Sequence, residues 1–233
     1  MRYAIYAVPG ASPENDSQDA RRLFETASAW FADPQFEPFV QKAARYGFHA
    51  TLKAPFRLAE NVDEAQLLDE VDSFCKTTQP VVIPQLSLAT IGRTEKFYAL
   101  VPGDPNRIGE VNDFAARVVK TFDKFRAPLR HDEWLKRKPN ELTDHQKYLL
   151  NEWGYPWVFD QFKLHFTLTD SVSETHSNAL KREVAQRFSC FQGSDIELRT
   201  LAVCVEPVPR EPFRVSSIHS LSSGNALNKQ MNR

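Results

Sequence analysis

The sequence predicts an α+β fold of two β-α-β-β units whose antiparallel sheets form a central cleft. Two observations support this fold class. The phrase His49-Ala50-Thr51-Leu52 returns as His165-Phe166-Thr167-Leu168, each time in an apolar stretch rich in strand-forming residues. The elements after each copy also come in one order, a helical pattern and then two strand-like runs. A motif that repeats together with its surroundings indicates an internal duplication.

The predicted elements of the first half follow from the spacing of apolar residues. Tyr3, Ile5 and Ala7 alternate with the other residues of 2–8 and predict an opening strand. A helical pattern over 63–79 contains Leu67 and Val71 on one face. The remaining predictions are a helix over 17–31 and strands around His49, over 81–91 and over 96–101.

The second half repeats this order and adds one segment. A helix over 112–125 opens it, and the strand around His165 precedes a helix over 173–191 and strands over 196–206 and 212–221. The segment 126–162 has no counterpart in the first half. It predicts one or two short helices, with Thr143 as the N-cap of a helix over 144–153. We interpret it either as a lid or substrate wall, or as a satellite core packed on the lobe.

The predicted domain organisation is a first lobe over 1–103, a second lobe over 104–221 and a polar tail over 222–233 that we expect to be disordered. The net charge of −1 and a pI near 6.6 argue against nucleic-acid binding through a broad basic field. With no apolar run of transmembrane length and no leader pattern, we expect a cytoplasmic protein without membrane contact. The three widely spaced cysteines are predicted to be buried free thiols.

The repeated motif suggests acid–base chemistry. Side chains alternate between the two faces of a strand, so His49 and Thr51 share one face, as do His165 and Thr167. Ala50 and the other intervening apolar residues then face a core. The ordinary histidine pKa of about 6.5 lets one imidazole be neutral while another is protonated. Two such pairs at one cleft suit attack on a phosphodiester without a metal.

A metal site is the alternative use of histidines in this chain. His131, Asp132, Glu133 and His145 could form one, but their spacing matches no helical ligand pair. There is no Cys-x-x-Cys motif, and the eight glycines form no phosphate-binding loop. We therefore expect no metal and no other cofactor.

Local phrases extend the motif into a family resemblance. Three such phrases are Arg45-Tyr46-Gly47-Phe48-His49-Ala50-Thr51-Leu52-Lys53-Ala54-Pro55-Phe56, Phe125-Arg126-Ala127-Pro128-Leu129 and Trp153-Gly154-Tyr155-Pro156. With the repeated motif, they resemble the two-histidine (2H) phosphoesterase superfamily. The likeness is to its branch associated with phosphonate metabolism, found beside the carbon–phosphorus lyase system. It covers residues 2–219, and Ala54 departs from the usual proline. The resemblance implies that His49 and His165 are the acid–base pair and that Thr51 and Thr167 bind phosphate.

Further substrate-binding residues are predicted around these motifs. Lys53 and Thr169 continue the two inward faces, while Arg45 and Tyr46 precede the first motif strand. Tyr98 and Arg214 occupy matching places on the last strand of each unit. The added segment contributes Arg126, Arg130 and Arg137, whose planar guanidinium groups suit phosphate oxygens.

The predicted function is metal-independent hydrolysis of a small cyclic phosphate, which the resemblance links to a ribose cyclic phosphate of phosphonate metabolism. One alternative is an RNA-end phosphodiesterase for 2′,3′-cyclic or 2′,5′-linked ends, against which the near-neutral charge counts. Another is a module that binds a phosphorylated ligand without turnover, although binding alone would not need two titratable rings. The partner is in each case a phosphorylated molecule, and the sequence leaves the oligomeric state open.

Overall fold

The structure is a computed structural model that describes residues 1–92, 96–209 and 211–222, with only the backbone of residues 174 and 175. The predicted α+β class is confirmed. The strands are β1 (Arg2–Ala7), β2 (Ala50–Phe56), β3 (Val81–Ile83), β4 (Leu86–Ile91), β5 (Phe97–Pro102), β6 (Phe166–Thr167), β7 (Ile196–Leu198), β8 (Thr200–Glu206) and β9 (Arg214–Ser220). The α-helices are α1 (Gln18–Ala32), α2 (Glu37–Tyr46), α3 (Glu64–Lys76), α4 (Gly109–Phe122), α5 (His131–Leu135), α6 (Asp144–Trp153) and α7 (Glu174–Arg187).

Each motif strand lies in a sheet with strands of the other half. One antiparallel sheet has the order β2-β1-β8-β9, so the strand after His49 joins, through β1, the last hairpin of the chain. The other sheet has the order β4-β5-β6, so the strand after His165 joins the hairpin of the first half. The division into lobes over 1–103 and 104–221 stays a prediction, and both sheets contain strands from each side of it.

Two predicted strands are each divided in the structure. The run 81–91 breaks at Pro84 and Gln85. Pro84 has no backbone N–H to donate to a neighbouring strand, and Gln85 adopts a φ of 48°. The run 196–206 breaks at Arg199. The first piece of each run forms a small sheet with its counterpart, β3 with β7, while β4 and β8 join the two larger sheets. The duplicated units therefore meet through β3 and β7.

The core lies between these sheets and the helices. Ala50, Leu52, Phe166 and Leu168, which the motif alternation predicts to face inward, are all buried in its largest cluster. Trp30 of α1 reaches this core and donates a hydrogen bond of 2.7 Å from Nε1 to the carbonyl of Leu168. The apolar face of each motif strand therefore packs on the core, and the opposite, polar face is available to the cleft.

Several predicted elements differ from the structure. The sequence pattern does not predict helix α2, and the predicted helix over 112–125 ends at Phe122 before a tighter 3₁₀ turn. Cys75 and Cys204 are buried as predicted, but Cys190 is exposed because the turn that contains it buries Phe191 instead. The predicted tail over 222–233 lies outside the described residues beyond position 222. Within the described part, every helix is too short or too polar to cross a membrane.

The segment 126–162 contains α5 and α6, and Thr143 caps α6 by accepting a hydrogen bond from the N–H of Gln146. It forms a satellite core in which Leu149 and Val158 pack on Val119 of α4. Arg57, directly after β2, pairs with Glu133 of α5 at 3.1 Å. The segment therefore packs on the second half, and an ion pair connects it to the residue that follows the first motif strand.

Candidate active site

The two histidines occupy equivalent places in the two sheets. His49 directly precedes β2 and His165 directly precedes β6, so each ring lies at the start of its strand. Gly47 makes the turn from α2 into the first of these strands with a φ of 69°, a value that favours glycine. The turn brings the carbonyl of Gly47 back to the His49 ring.

Both rings are oriented by the same contact. Nδ1 of His49 lies 2.9 Å from the carbonyl oxygen of Gly47, and Nδ1 of His165 lies 2.8 Å from that of Lys163. Since a carbonyl only accepts, each Nδ1 must carry the hydrogen and donate it. In the neutral ring Nε2 is then unprotonated, and it is the nitrogen left for chemistry.

His49 is a partly buried residue of the cleft wall. Its ring contacts the ring of Tyr6 of β1 at an interplanar angle of 32° with centroids 4.0 Å apart, and the centroid of the Tyr46 ring lies 6.0 Å away. Burial lowers the pKa of His49 to about 4, the bond to Gly47 opposes this shift, and the charge of His165 adds to it. The ring is therefore neutral near neutral pH, and the effect of His165 reflects the proximity of the two histidines.

One cavity of about 980 Å³ is lined by residues of both motifs, although His165 itself is not part of its lining. His49, Thr51 and Thr167 line it, together with Phe97, whose ring centroid lies 6.1 Å from that of His165. Among the described residues of its lining, cationic side chains outnumber carboxylates. The cations are Arg2, Lys42, Arg45, Lys53, Arg57, Arg126, Arg130, Lys136 and Arg137, and the carboxylates are Asp132, Glu133, Asp170 and Glu206. A cavity of this charge suits an anionic ligand, even in a chain of net charge −1.

Lys53, predicted to continue the face of His49 and Thr51, is buried in an ion-pair cluster. Its Nζ donates to Asp123 at 2.8 Å, and Arg126 contacts both oxygens of the same carboxylate at 2.8 and 3.0 Å. Burial lowers the pKa of Lys53. Burial acts to raise the pKa of Asp123, but the hydrogen bonds from the two cations outweigh it and the pKa is lowered.

Arg126 is held for structural reasons as well. Besides Asp123, its guanidinium donates to the carbonyl of Glu152 at 2.7 Å. Gly154, the C-cap of α6 with a φ of 74°, packs so closely that a Cβ there would lie 2.8 Å from the Arg126 side chain. Most donors of Arg126 are therefore already used, so it has little capacity for the phosphate contact that the sequence predicts.

The other predicted binding residues divide into two groups. Arg45, Tyr46 and Thr169 line the cavity, as do Arg130 and Arg137 at the start and end of the segment around α5. Their contact with a ligand stays a prediction. Arg130 is exposed, while the guanidinium of Arg137 lies 5.0 Å from the centre of the Tyr155 ring.

The structure does not bring Tyr98 and Arg214 to the cavity. Tyr98 is buried and donates from its hydroxyl to the carbonyl of Ser177 at 2.8 Å, and Arg214 is exposed on β9. Their chain neighbours Phe97 and Phe213 occupy the matching places instead. Phe97 approaches His165, and Phe213 approaches Tyr46, beside His49. In both places the residue beside the site is thus one position earlier than predicted, and neighbouring residues of a strand face opposite sides.

The described part of the chain contains no group of three or more His, Cys, Asp or Glu side chains placed to hold a metal ion. His145, a member of the alternative metal site, pairs with Asp160 at 2.9 Å, and His131 stacks on Trp134. These residues therefore have roles within the 126–162 segment that need no metal.

Comparison with known proteins assigns a family. Residues 51–214 match the family model described as a protein of unknown function, DUF1045. The chain belongs to the DUF1045 family. The match includes Thr51, His165 and Thr167, and it begins two residues after His49.

Two curated relatives of this DUF1045 protein are both named ribose 1,5-bisphosphate phosphokinase PhnN. The protein from Janthinobacterium sp. (strain Marseille) is 34% identical over 175 residues, covering 73% of this chain and 38% of the relative. The protein from Laribacter hongkongensis (strain HLHK9) is 30% identical over 230 residues, covering 92% of this chain and 50% of the relative. The chain thus spans half or less of the length of these relatives.

Two solved structures are also similar to the DUF1045 chain. TT0787 of Thermus thermophilus has a TM-score of 0.49 and 14% identity, covering 97% of this chain and 100% of that chain. Usb1 of Kluyveromyces marxianus has a TM-score of 0.40 and 9% identity, covering 94% and 97% respectively. Both likenesses are too weak to indicate a site or an activity.

Sequence reasoning missed several residues of the DUF1045 cavity. Tyr6 and Arg2 belong to a strand interpreted only as structural, although their alternation with Tyr3 and Ile5 places them on the opposite face from the core. Glu206, at the end of β8, gave no signal, because a single acidic residue in a strand has no pattern. It reaches the site only through the pairing of Arg2 with Glu206 across the β1–β8 ladder.

Proposed function

We propose that this protein is a phosphodiesterase that opens a small cyclic phosphate on ribose, with His49 and His165 exchanging the protons. The observation that carries the proposal is the repeated His-x-Thr motif, with both rings held at Nδ1 by a backbone carbonyl. Both motif threonines line one cationic cavity. Paired imidazoles beside an anion site supply proton acceptor and donor for phosphoryl transfer.

The proposed step is attack of water on phosphorus. A bond forms from the water oxygen to phosphorus while the bond from phosphorus to the ribose O2 breaks. One imidazole accepts the proton of the water, and the other donates a proton to O2. Because the lowered pKa of His49 leaves its ring neutral, we assign His49 as the acceptor and His165 as the donor. We assign the hydroxyls of Thr51 and Thr167 to the non-bridging oxygens, where negative charge develops.

The substrate that we propose is 5-phosphoribosyl 1,2-cyclic phosphate. Opening it at O2 leaves a phosphate on O1 and gives ribose 1,5-bisphosphate, the compound in the names of both curated relatives. This chain has no glycine-rich phosphate-binding loop. We therefore assign it the step that makes this compound, and the phosphokinase activity to the additional length of the relatives.

The test is a panel assay followed by phosphorus NMR. The purified protein is incubated with 5-phosphoribosyl 1,2-cyclic phosphate, a nucleoside 2′,3′-cyclic phosphate and an RNA with a 2′,3′-cyclic end. We expect the first compound to be turned over fastest and to yield the 1-phosphate monoester. His165→Ala measures the background hydrolysis.

Each other outcome selects an alternative. Faster turnover of the RNA or the nucleoside compound would replace the proposal with the RNA-end activity. Saturable binding of the phosphoribosyl compound, without turnover of any substrate, would replace it with the non-catalytic binding module. Formation of a 2-phosphate in place of the 1-phosphate would contradict cleavage at O2.

A further inference from the structure

Two arginines of the cavity share one buried carboxylate. Nε of Arg2 lies 2.6 Å from Oε2 of Glu206, and a terminal nitrogen of Arg45 lies 3.2 Å from Oε1 of the same side chain. Only 1% of the Glu206 side chain is exposed, against 34% for Arg2 and 28% for Arg45. The carboxylate is thus enclosed, while both guanidinium groups reach the open cavity.

These arginines retain donors that face no acceptor among the described residues. Among the described residues, Arg2 donates only through Nε, and Arg45 donates through Nε and one terminal nitrogen, to Glu206 and the carbonyl of Glu211. Each guanidinium has five N–H groups. Two cations on one carboxylate also leave a net positive charge. The pair is therefore fixed in place and still able to bind an anion.

The pair lies beside the His49 part of the cleft. The guanidinium of Arg45 lies 5.6 Å from the centre of the Tyr46 ring, which itself lies 6.0 Å from the His49 ring. Arg2 is on the same strand face as Tyr6, whose ring contacts that of His49, and the charge of Arg2 opposes the strong rise in the pKa of Tyr6 that burial causes. An anion held by both arginines would thus be close to the reacting centre but separate from it.

We propose that Arg2 and Arg45, positioned by Glu206, bind the 5-phosphate of the substrate. The identity of this ligand rests on the proposed function, in which the cyclic phosphate occupies the His/Thr part of the cavity. A phosphate monoester carries up to two charges and three terminal oxygens, which match donors from two fixed guanidinium groups. The buried carboxylate holds the two cations close together before the ligand arrives, which reduces the cost of ordering them on binding.

The arginines of the 126–162 segment, which the sequence also predicts to bind the substrate, fit this role less well. Arg126 already donates to both oxygens of Asp123 and to a carbonyl. Arg130 lines the cavity, but its side chain is exposed. The Arg2–Arg45 pair is the better fit because its geometry is fixed by a buried partner.

The test measures binding of ribose 5-phosphate by calorimetry, with ribose as the control ligand that lacks the phosphate. We expect Arg2→Gln and Arg45→Gln each to weaken binding about tenfold or more, as for loss of a charge-assisted contact. Arg107→Gln is the matched control, since Arg107 pairs with Asp195 away from the cavity. Arg2→Lys keeps a cation beside Glu206 and tests the guanidinium geometry if the glutamine variant fails to fold.

Unchanged binding in folded Arg2 and Arg45 variants would overturn the site, as would a wild-type protein that binds no ribose 5-phosphate. Loss of binding only in an Arg130→Gln/Arg137→Gln variant would move the site to the 126–162 segment. Binding needs no turnover, so the two proposals fail separately. Ribose 5-phosphate bound through Arg2 and Arg45, in a protein that opens no cyclic phosphate, would support the site and reject the proposed function.

Discussion

The carboxylate of Asp170 accepts a hydrogen bond of 2.8 Å from the backbone N–H of Ala43 in α2. This bond links the end of the second motif to the helix before the first. The carboxylate also accepts a hydrogen bond of 2.9 Å from the N–H of Lys42. The backbone N–H of Asp170 donates a hydrogen bond of 2.7 Å to the carbonyl of Phe39. Asp170 follows the second motif by a few residues, while α2 leads into Gly47 and the first motif. The end of one motif therefore fixes the helix that orients the other histidine.

Asp170→Ala should lower both stability and turnover. Loss of two charge-assisted hydrogen bonds should reduce the free energy of unfolding by about 2–4 kcal/mol, measured by urea denaturation. Because α2 then loses its anchor, we expect faster amide exchange at Lys42 and Ala43 and a lower kcat on the proposed substrate. Asp19→Ala, at an exposed carboxylate of α1, is the control. Unchanged exchange at both amides would contradict the role of Asp170.

The partly buried His49 ring should make stability depend on pH. Its pKa is lowered to about 4 in the folded state, against about 6.5 when unfolded. Above the unfolded pKa neither state binds the proton and stability is complete. As the pH falls from 6.5 towards 4 the unfolded state gains a proton that the folded state resists, so about 2–3 kcal/mol is lost.

His49→Gln removes this titration. The difference in unfolding free energy between wild type and variant should therefore shrink as the pH is lowered across that window, measured by denaturation at each pH. His131→Gln, at an exposed ring, is the matched control. A wild-type-minus-His49→Gln difference that stays constant would show that the His49 ring is not protected from protonation.

The two histidines should act as one unit in turnover. His49→Ala and His165→Ala should each lower kcat by about 10²–10⁴ while the fold is kept, because each removes one proton-transfer group. The double variant should lose far less than the product of the two effects. His145→Ala, at a ring paired with Asp160 outside the cavity lining, is the control. Full activity in either single variant would remove that histidine from the mechanism.

Asp123 should be more important for stability than either cation that it binds. Asp123→Asn leaves the buried Lys53 and the half-buried Arg126 without a countercharge, and we expect a loss of about 3–5 kcal/mol in urea denaturation. Lys53→Met should reduce the free energy of unfolding by less, since Asp123 still pairs with Arg126. Asp195→Asn, at an exposed pair with Arg107, should have a much smaller effect. Equal effects for Asp123 and Asp195 would contradict the importance of the buried cluster.

Exhaustive chelation should leave activity unchanged. The mechanism uses two imidazoles, two hydroxyls and cationic side chains, and no metal ligand set is formed by the described residues. Dialysis against EDTA followed by the cyclic phosphate assay measures this directly. Loss of activity that a divalent ion restores would favour metal-assisted hydrolysis.

The sequence by itself determined the features that depend on local spacing. Strand alternation placed Ala50, Leu52, Phe166 and Leu168 in the core and left the histidines and threonines on the other face. The Thr143 cap, similarly, follows from residues three positions apart. Each of these predictions uses only neighbours in the chain, whose geometry the backbone fixes.

Only the tertiary structure decided which distant segments meet. The exchange of motif strands between the two halves, the division of two predicted strands and the pairing of Arg2 with Glu206 depend on contacts between residues far apart in sequence. The choice of Phe97 over Tyr98 depends on strand register, in which a shift of one residue turns every side chain to the other face. Local periodicity contains no information on register between segments, and so the residues that complete the cavity became visible only after the sheets had formed.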